Sequence, residues 1–400
     1  MAAPGSQVIS LGCRLNIAES EGIRLLFSGE PNVVVINSCA VTAEAVRHTR
    51  QAIRKARRER PDARLLVTGC AAEIDREAIA AMPEVDGLVA NASKLDPRAW
   101  NVAAPHRAGA QRGTTGTQTH TRAFVAVQNG CDHACTFCVI PQGRGPSRSL
   151  TVAAVLREIE QHLDSGAAEV VLTGVDVTSW GHDLPGAPGL GTLVAVILDH
   201  FPQLQRLRLS SLDGIEIDAQ LFELFAGEPR VMPHLHLSLQ HGHDLILKRM
   251  KRRHSRADAV GLVERLRARR PDIAIGADLI AGFPTEDEAM HQANRAIIRE
   301  LGVVHAHVFA YSPRPGTPAA RMPQLGREVI KARAAELRAE AADVRAAWLR
   351  GLIGAPLAVL AERDGTGHAE NFARVSLPAG AVPGTLMTLT PTSLEQGLLQ

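Results

Sequence analysis

The chain has 400 residues, 45% hydrophobic and only 3% aromatic, with a net charge of +2. That length allows two or three domains with cores of their own. The near-zero charge excludes a polybasic or polyacidic chain, and no apolar run approaches the roughly 18 residues of a membrane-spanning helix. The opening MAAPGSQVISLG has neither a basic stretch nor a long apolar one, so no secretory signal is expected and the cytoplasm is the expected location. In that compartment six cysteines point to metal or catalysis rather than to disulfides.

The first hundred residues alternate strand and helix. Val33–Ile36 and Leu65–Thr68 are short apolar runs of buried-strand type, followed by helical stretches over Ala43–Arg60 and Glu73–Ala81. Such alternation implies a parallel sheet with right-handed crossovers, whose ligands gather at the carboxyl ends of the strands. Cys13, Cys39 and Cys70 each close an apolar run (QVISLGC, VVVINSC, LLVTGC) and are expected to converge on that edge. Asn101–His120 is rich in Gly, Thr and Ala without periodicity and reads as a linker.

A second alternating series follows. Its strands are expected at Phe124–Gln128, Glu169–Gly174, Arg206–Ser211, His234–Leu239, Ala274–Ile280 and Val303–Phe309. Helices are expected near Val152–Asp164, Leu190–His200, Ile217–Ala226, Arg256–Arg270 and Glu286–Leu301. Six such units imply a barrel or partial barrel, with functional residues at the strand ends. Those ends carry a polar set that includes Gln128, Asn129, Thr173, Gly174, Ser210, Ser211, Ser238, Gln240 and Asp278. Arg327–Arg350 is rich in Ala, Arg and Glu and reads as a long helix. Leu357–Ala361, Phe372–Leu377 and Leu386–Thr390 read as strands of a small all-β piece.

Cys131, Cys135 and Cys138 stand in GCDHACTFCVIP, a C-x3-C-x2-C spacing directly after the first strand of the second series. Soft thiolates at that spacing can clamp a metal cluster, and three of them leave one iron of a four-iron cluster open. The alternatives are a redox disulfide or zinc. Zinc wants a fourth ligand, and the one at hand, His133, lies inside the loop.

This spacing and position resemble the radical S-adenosylmethionine enzymes. The resemblance implies a cluster whose open iron binds the amino and carboxylate groups of S-adenosylmethionine. Phe137 fits the aromatic that the family carries there. VVLTGVD would place Thr173, Gly174 and Asp176 near the amino group, and GADLIAGFP would bring Asp278 and Gly282 to the adenine side. Ser210, Ser211, Ser238 and Gln240 would meet ribose and carboxylate.

Over the full length, LGCRLNIAESE, INSCAVTAEAVRHTRQAIRKARR and VTGCAAE resemble the three cysteine motifs of the methylthiotransferases. NSCAVT, LHLSLQHGHDLILKRMKRRHSR, GADLIAGFPTE and HVFAYSPRPGTPAARMP are similar to the branch acting on N6-threonylcarbamoyladenosine at position 37 of tRNA. HGHD and VDVTSW depart from the family's usual residues at those places.

The implied architecture is α/β: an N-terminal parallel-sheet cluster domain (1–105), a linker (106–120), a partial (β/α)6 radical barrel (121–350) and a TRAM-like all-β domain (351–400). The implied cofactors are two four-iron clusters, one on each triad, and S-adenosylmethionine. The implied partners are tRNA and an electron donor such as a flavodoxin or ferredoxin, with no membrane and with the sulfur donor unidentified. Two basic runs, Arg47–Arg60 and Lys248–Arg256, are expected to meet phosphates, although a solvated helix face would also explain the first. The candidates are Lys248, Arg249, Lys251, Arg252 and Arg253, with Arg144 and Arg148, beyond the tight triad, expected at substrate or phosphate. Arg363, His368, Phe372 and Arg374 are candidates on the C-terminal piece. The rival readings are methylthiolation of isopentenyladenosine or of a ribosomal-protein aspartate, and a non-catalytic RNA-binding iron–sulfur sensor.

Overall fold

The structure is a computed structural model that describes residues 5–102 and 121–400. The expected linker, 106–120, lies outside the described residues. The chain divides into two compact units. One comprises residues 5–102, 129–148 and 312–320. The other comprises residues 121–128, 149–311 and 321–400. The tight-triad loop therefore groups with the N-terminal residues, and the C-terminal strands group with the second βα series.

The first unit is a four-stranded parallel sheet in the order β1 (Gln7–Ser10), β2 (Val33–Ser38), β3 (Arg64–Gly69), β4 (Gly87–Leu88). All six residues of β2 are buried, as expected of a parallel strand covered on both faces. Its helices are α1 (Arg14–Leu26), α2 (Ala43–Glu59), α3 (Cys70–Ile74), α4 (Arg76–Ala80) and α5 (Ile140–Arg144). Thr42 caps α2 by accepting from the Ala45 N–H. The helix expected over Glu73–Ala81 is instead α3 and α4, which meet at Asp75 and are displaced toward Cys70. Helix α1 was not expected, because it turns Asn16, Glu19 and Ser20 inward and so hides its apolar periodicity.

The second unit has six parallel strands in chain order. They form two three-stranded sheets, β5 (Ala123–Ala126), β8 (Glu169–Thr173), β9 (Arg206–Leu209) and β10 (His234–Gln240), β11 (Ala274–Ala281), β12 (Val303–Ala310). Bridges Leu207–Val231 and Leu212–Leu237 join the two sheets. Strands β6 (Gln128–Asn129) and β7 (Arg148–Ser149) stand where the chain passes between units. Helices α6 (Val152–Asp164), α7 (Leu190–His200), α8 (Ala219–Gly227), α9 (Asp244–Arg249), α10 (Arg256–Arg269) and α11 (Glu288–Glu300) alternate with the strands, and α12 (Arg327–Gly351) follows. Alternate strand residues (Val170, Leu172, Leu207, Leu209, Leu235, Leu237, Ala277, Leu279) join one apolar core with these helices. The opposite faces carry Glu169, Arg206, Arg208, His234, His236 and Asp278. A face of that polarity needs partners for its charges.

Glu169 finds them at the start of β8. Arg208 Nε donates to it at 2.8 Å, and Arg206 lies 3.5 Å away. Burial works against the charged form, but these guanidinium groups win and hold the carboxyl down at about 2. A depressed carboxylate adds stability above its unfolded value of about 4.3 and loses that contribution as pH falls through about 2. Wild-type thermal midpoints are therefore expected to drop between those limits. Glu169→Gln should flatten the pH dependence in that window while lowering the midpoint at pH 7, because Arg208 loses its carboxylate.

The C-terminal strands β13 (Leu357–Ala361), β14 (Thr366–Ala369), β15 (Arg374–Ser376), β16 (Leu386–Leu389), β17 (Leu394–Glu395) and β18 (Leu398–Leu399) form one sheet in the order β16-β13-β14-β15-β18-β17. Two residues expected at RNA are used inside this unit instead. Phe372 stacks on His234 at 5.1 Å and 26°, with the Arg208 guanidinium 4.8 Å over its ring. His368 lies 4.5 Å from the Phe372 ring. Arg363 and Arg374 are exposed, and Arg374 pairs with Asp364 at 2.6 Å.

No helix among the described residues is long and apolar enough to cross a membrane.

Candidate functional site

The register of the first sheet sets Ser10 beside Asn37 and Ser38 beside Gly69, so β1, β2 and β3 end nearly level. Cys13, Cys39 and Cys70 follow those ends, on one edge of the sheet. Two glycines make the approach possible. Gly12 has φ +94°, and a Cβ there would lie 2.7 Å from the Cys39 Sγ. Gly69 has φ +92°, and a Cβ there would lie 2.4 Å from the Ser38 carbonyl oxygen. Cys13 is the N-cap of α1 and Cys70 opens α3, so each thiol sits at a helix N-terminus. Ser38 Oγ accepts from the Ala71 and Ala72 N–H groups at 3.1 Å and fixes the start of α3. Burial, with the Cys13 and Cys70 thiols nearby, pushes the Cys39 thiol up to about 11.

The tight triad lies in the same unit, on a loop closed at its ends. The Cys131 N–H donates to the Gly145 carbonyl at 3.1 Å, and the Ser147 N–H to Asp132 at 3.0 Å. Cys131 Sγ accepts from the His133 N–H, and Cys138 Sγ from the Ile140 N–H, each at 3.4 Å. Backbone donors aimed at sulfur suit anionic, cluster-bound thiolates. All six cysteines are free. Two sets of three thiols, served by N–H donors, helix N-termini and a nearby guanidinium, fit two iron–sulfur clusters as a donor set.

That guanidinium belongs to Arg144, which sequence reasoning placed at substrate or phosphate. Arg144 is buried, with its side chain only 2% exposed, and cannot serve there. Its Nη1 donates to Glu19 at 2.9 Å and to Asn129 at 2.8 Å, and its Nη2 to Asn16 at 2.5 Å. Glu19 also takes the Lys94 ammonium at 2.5 Å, and Lys94 reaches Asn37 at 3.3 Å. Burial would raise the Glu19 carboxyl, but Lys94 and Arg144 hold it below the usual carboxylate range. Burial likewise lowers the Lys94 ammonium, against the pull of Glu19. Burial works against the Arg144 charge, but Glu19 first, with Cys70 and Cys13, raises its pKa. With one acid between two bases, the group carries a net positive charge beside the spread triad.

The same helix joins the two triads. Arg144 ends α5, which starts two residues after Cys138. Helix α5 packs on α3: a Cβ on Gly143 would lie 3.4 Å from the Cys70 Cβ. Asn91 Nδ2 donates to the Gly143 carbonyl at 2.6 Å and lies 3.9 Å from the Cys70 Sγ. Sequence reasoning placed Asn129 in the polar set at a strand end but missed Asn16, Glu19, Asn91 and Lys94. The only local signal was polar residues inside otherwise apolar stretches.

In the second unit the strand-end residues are held as follows. Thr173 is buried, and the Gln128 side chain accepts from the Val175 and Asp176 N–H groups at 3.1 and 2.9 Å. A Cβ on Gly174 would lie 2.8 Å from the Gln128 carbonyl oxygen, so the turn closes only with glycine. Asp176 accepts from Ser179 at 2.7 Å. Ser210 is buried, Ser211 and Ser238 are half-buried, and Gln240 has φ +68°. Gly282, at φ +72°, faces Ile330 of α12.

Asp278, expected near the adenine, is committed elsewhere: it lies mid-strand between His236 at 3.1 Å and His307 at 3.0 Å. Arg252 donates to Asp213 at 2.9 Å and to the Ser238 carbonyl at 2.8 Å, leaving its side chain 8% exposed and out of reach of a phosphate. Arg253 pairs with Asp213 and Glu216 but stays exposed. Asp213 went unrecognised, although it stands two residues past Ser211. Despite burial, His254, Arg252 and Arg253 hold its carboxyl down at about 2. Lys248, Lys251 and Arg148 are exposed, and Arg249 donates to the Thr285 carbonyl at 3.2 Å. The exposed side of α2 carries Arg47, Arg54, Lys55 and Arg58, and Arg47 and Lys55 pair there with Glu44 and Glu59.

Comparison with known proteins gives two family matches, the radical SAM superfamily over residues 125–295 and the uncharacterized protein family UPF0004 over residues 6–90. A threonylcarbamoyladenosine tRNA methylthiotransferase MtaB from Rickettsia prowazekii is 42% identical over 98% of this chain and 96% of its own length. A tRNA-2-methylthio-N(6)-dimethylallyladenosine synthase from Cereibacter sphaeroides is 33% identical over 96% of this chain and 94% of its own. Among solved structures, the radical S-adenosylmethionine methyltransferase TsrM from Kitasatospora setae, with cobalamin and a 4Fe-4S cluster bound, aligns at a TM-score of 0.57 and 16% identity. That alignment covers 80% of this chain and 74% of the other and is a likeness of fold.

Proposed function

The chain belongs to the methylthiotransferase family of radical S-adenosylmethionine enzymes, and from that premise we propose that it places a methylthio group on C2 of N6-threonylcarbamoyladenosine at position 37 of tRNA. What carries the reading is a full-length likeness to a so-named enzyme together with two thiol triads in one compact unit. The six strands read as the partial (β/α)6 barrel, and the C-terminal strands as a TRAM-like domain. The cytoplasm is the proposed location.

Cys131, Cys135 and Cys138 would hold one four-iron cluster, and Cys13, Cys39 and Cys70 the other. When bound, the clusters and S-adenosylmethionine supply the radical, the sulfur and the methyl group that no side chain can provide for an inert C–H bond. The chain's own residues do the holding. Gln128 fixes the turn that presents Thr173, Gly174 and Asp176 to the S-adenosylmethionine amino group. Ser210, Ser211, Ser238 and Gln240 are the proposed ribose and carboxylate partners, and Gly282 the adenine neighbour. Arg144, Glu19 and Lys94 fix α5 against α1 and so set where the two triads stand relative to each other. Lys248, Arg249, Lys251, Arg253 and Arg148 are the proposed phosphate contacts. The reductant is a small electron carrier such as a flavodoxin or ferredoxin.

The test is mass spectrometry of nucleosides from anticodon stem-loops incubated with anaerobically reconstituted protein. A methylthio gain only on the threonylcarbamoyl RNA is expected. A gain only on an isopentenyl RNA would transfer the assignment to that substrate, and no gain on either would remove the tRNA reading.

A further inference from the structure

We propose that His307, held by Asp278 and backed by His236, receives the carboxylate of the threonylcarbamoyl group and so selects that substrate. This rests on the function proposed above and adds the residue that would recognise the modified base.

Strand periodicity puts the three residues on one face. Leu235, Leu237 and Leu239 of β10, and Ala277 and Leu279 of β11, enter the apolar core, with Ala306 and Val308 of β12 packed against it. Their alternates, His236, Asp278 and His307, project from the other side. Gly276 makes room for the group: a Cβ there would lie 2.3 Å from His236 Nδ1, so the His236 ring occupies the space over β11. One carboxylate oxygen of Asp278 then meets His236 Nε2 at 3.1 Å and His307 Nδ1 at 3.0 Å, with the two rings 4.7 Å apart. Burial opposes the charge on Asp278, but its two imidazole partners keep it well below the usual carboxylate range.

That arrangement fixes the orientation of His307. Nδ1 is spent on Asp278, which leaves Nε2 for a ligand. The side chain is 61% exposed, on the strand that ends its sheet. Phe309, two residues further along the same face, is also exposed and offers an apolar surface for a base. With Nδ1 turned to Asp278, Nε2 is the nitrogen that faces a ligand carboxylate as a hydrogen-bond donor. An isopentenyl group offers that nitrogen nothing, whereas a threonylcarbamoyl group ends in a carboxylate. A charge-assisted hydrogen bond of this kind corresponds to about ten- to a hundredfold in affinity.

The experiment uses reconstituted holoenzyme and two anticodon stem-loops, one with threonylcarbamoyladenosine and one with its methyl ester. Binding is read by fluorescence anisotropy and turnover by nucleoside mass spectrometry, with variants matched to wild type for iron content and visible absorption. Wild type is expected to favour the free carboxylate about ten- to a hundredfold in Kd and kcat/KM. His307→Gln should lose that preference, and His307→Lys, which restores a cation, should recover part of it. A His307→Gln protein that keeps the wild-type ratio overturns the proposal. So does a wild type that modifies both RNAs equally, which leaves the proposed function standing. A wild type that modifies neither removes that function, and this inference with it.

Discussion

Cys39→Ala protein is expected to cleave S-adenosylmethionine to 5′-deoxyadenosine at a near wild-type rate yet to yield no methylthio nucleoside. Cys135→Ala should abolish both. The difference follows from where the thiols stand. Cys135 lies on the closed loop whose sulfurs take backbone N–H groups, while Cys39 lies at the end of β2 in the other triad. Removing Cys39 takes one of three ligands from the spread triad and leaves the loop's own bonds, Cys131 to Gly145 and Asp132 to Ser147, in place. Anaerobic assays that quantify both products separate the roles. If Cys39→Ala still inserts sulfur, the spread triad is not the second cluster's site.

Arg144→Gln is expected to have the second large effect. It would remove the bonds from Arg144 to Glu19, Asn129 and Asn16 while Glu19 keeps Lys94, and hydrogen bonds to a charged group are worth about 1.5–3 kcal/mol. It also frees the carboxyl end of α5, which packs on the helix that starts at Cys70. The expected outcome is a lower thermal midpoint and loss of iron from the spread triad, while the tight triad retains its iron. Arg144→Lys keeps the charge but not the fork that reaches Glu19, Asn129 and Asn16 together, so it should fall between the two. Wild-type iron retention in Arg144→Gln would show that the group is ordinary core polarity.

Much of the fold was legible because the strands are runs of β-branched and apolar residues and the helices have clear periodicity. The expected bounds of Val152–Asp164, Leu190–His200 and Leu357–Ala361 coincide with those in the structure. The placing of Cys13, Cys39 and Cys70 at strand ends was legible for the same reason. Helix α1 was not, because its inward face carries Asn16, Glu19 and Ser20, which solvent-facing logic reads as outside. The Arg144 group was hidden by distance along the chain. Arg144 and Glu19 stand 125 residues apart, and Lys94 and Glu19 stand 75 apart, so only the fold shows that these charges satisfy one another. A run of cations likewise does not reveal which members have acids waiting: Asp213 takes Arg252, while Lys248 and Lys251 stay exposed. The cluster of Asp278 with His236 and His307 has the same character, since three strands must lie side by side before it exists.

The most direct test of two cluster sites in one unit is the iron and acid-labile sulfide content of protein purified anaerobically. Two four-iron clusters on two thiolate triads predict about eight irons and about eight sulfides per chain, falling to about four of each when Cys39 and Cys70 are both replaced by alanine. About four irons in the wild-type chain, unchanged by those replacements, would contradict the account and leave the spread triad as three buried or capping thiols.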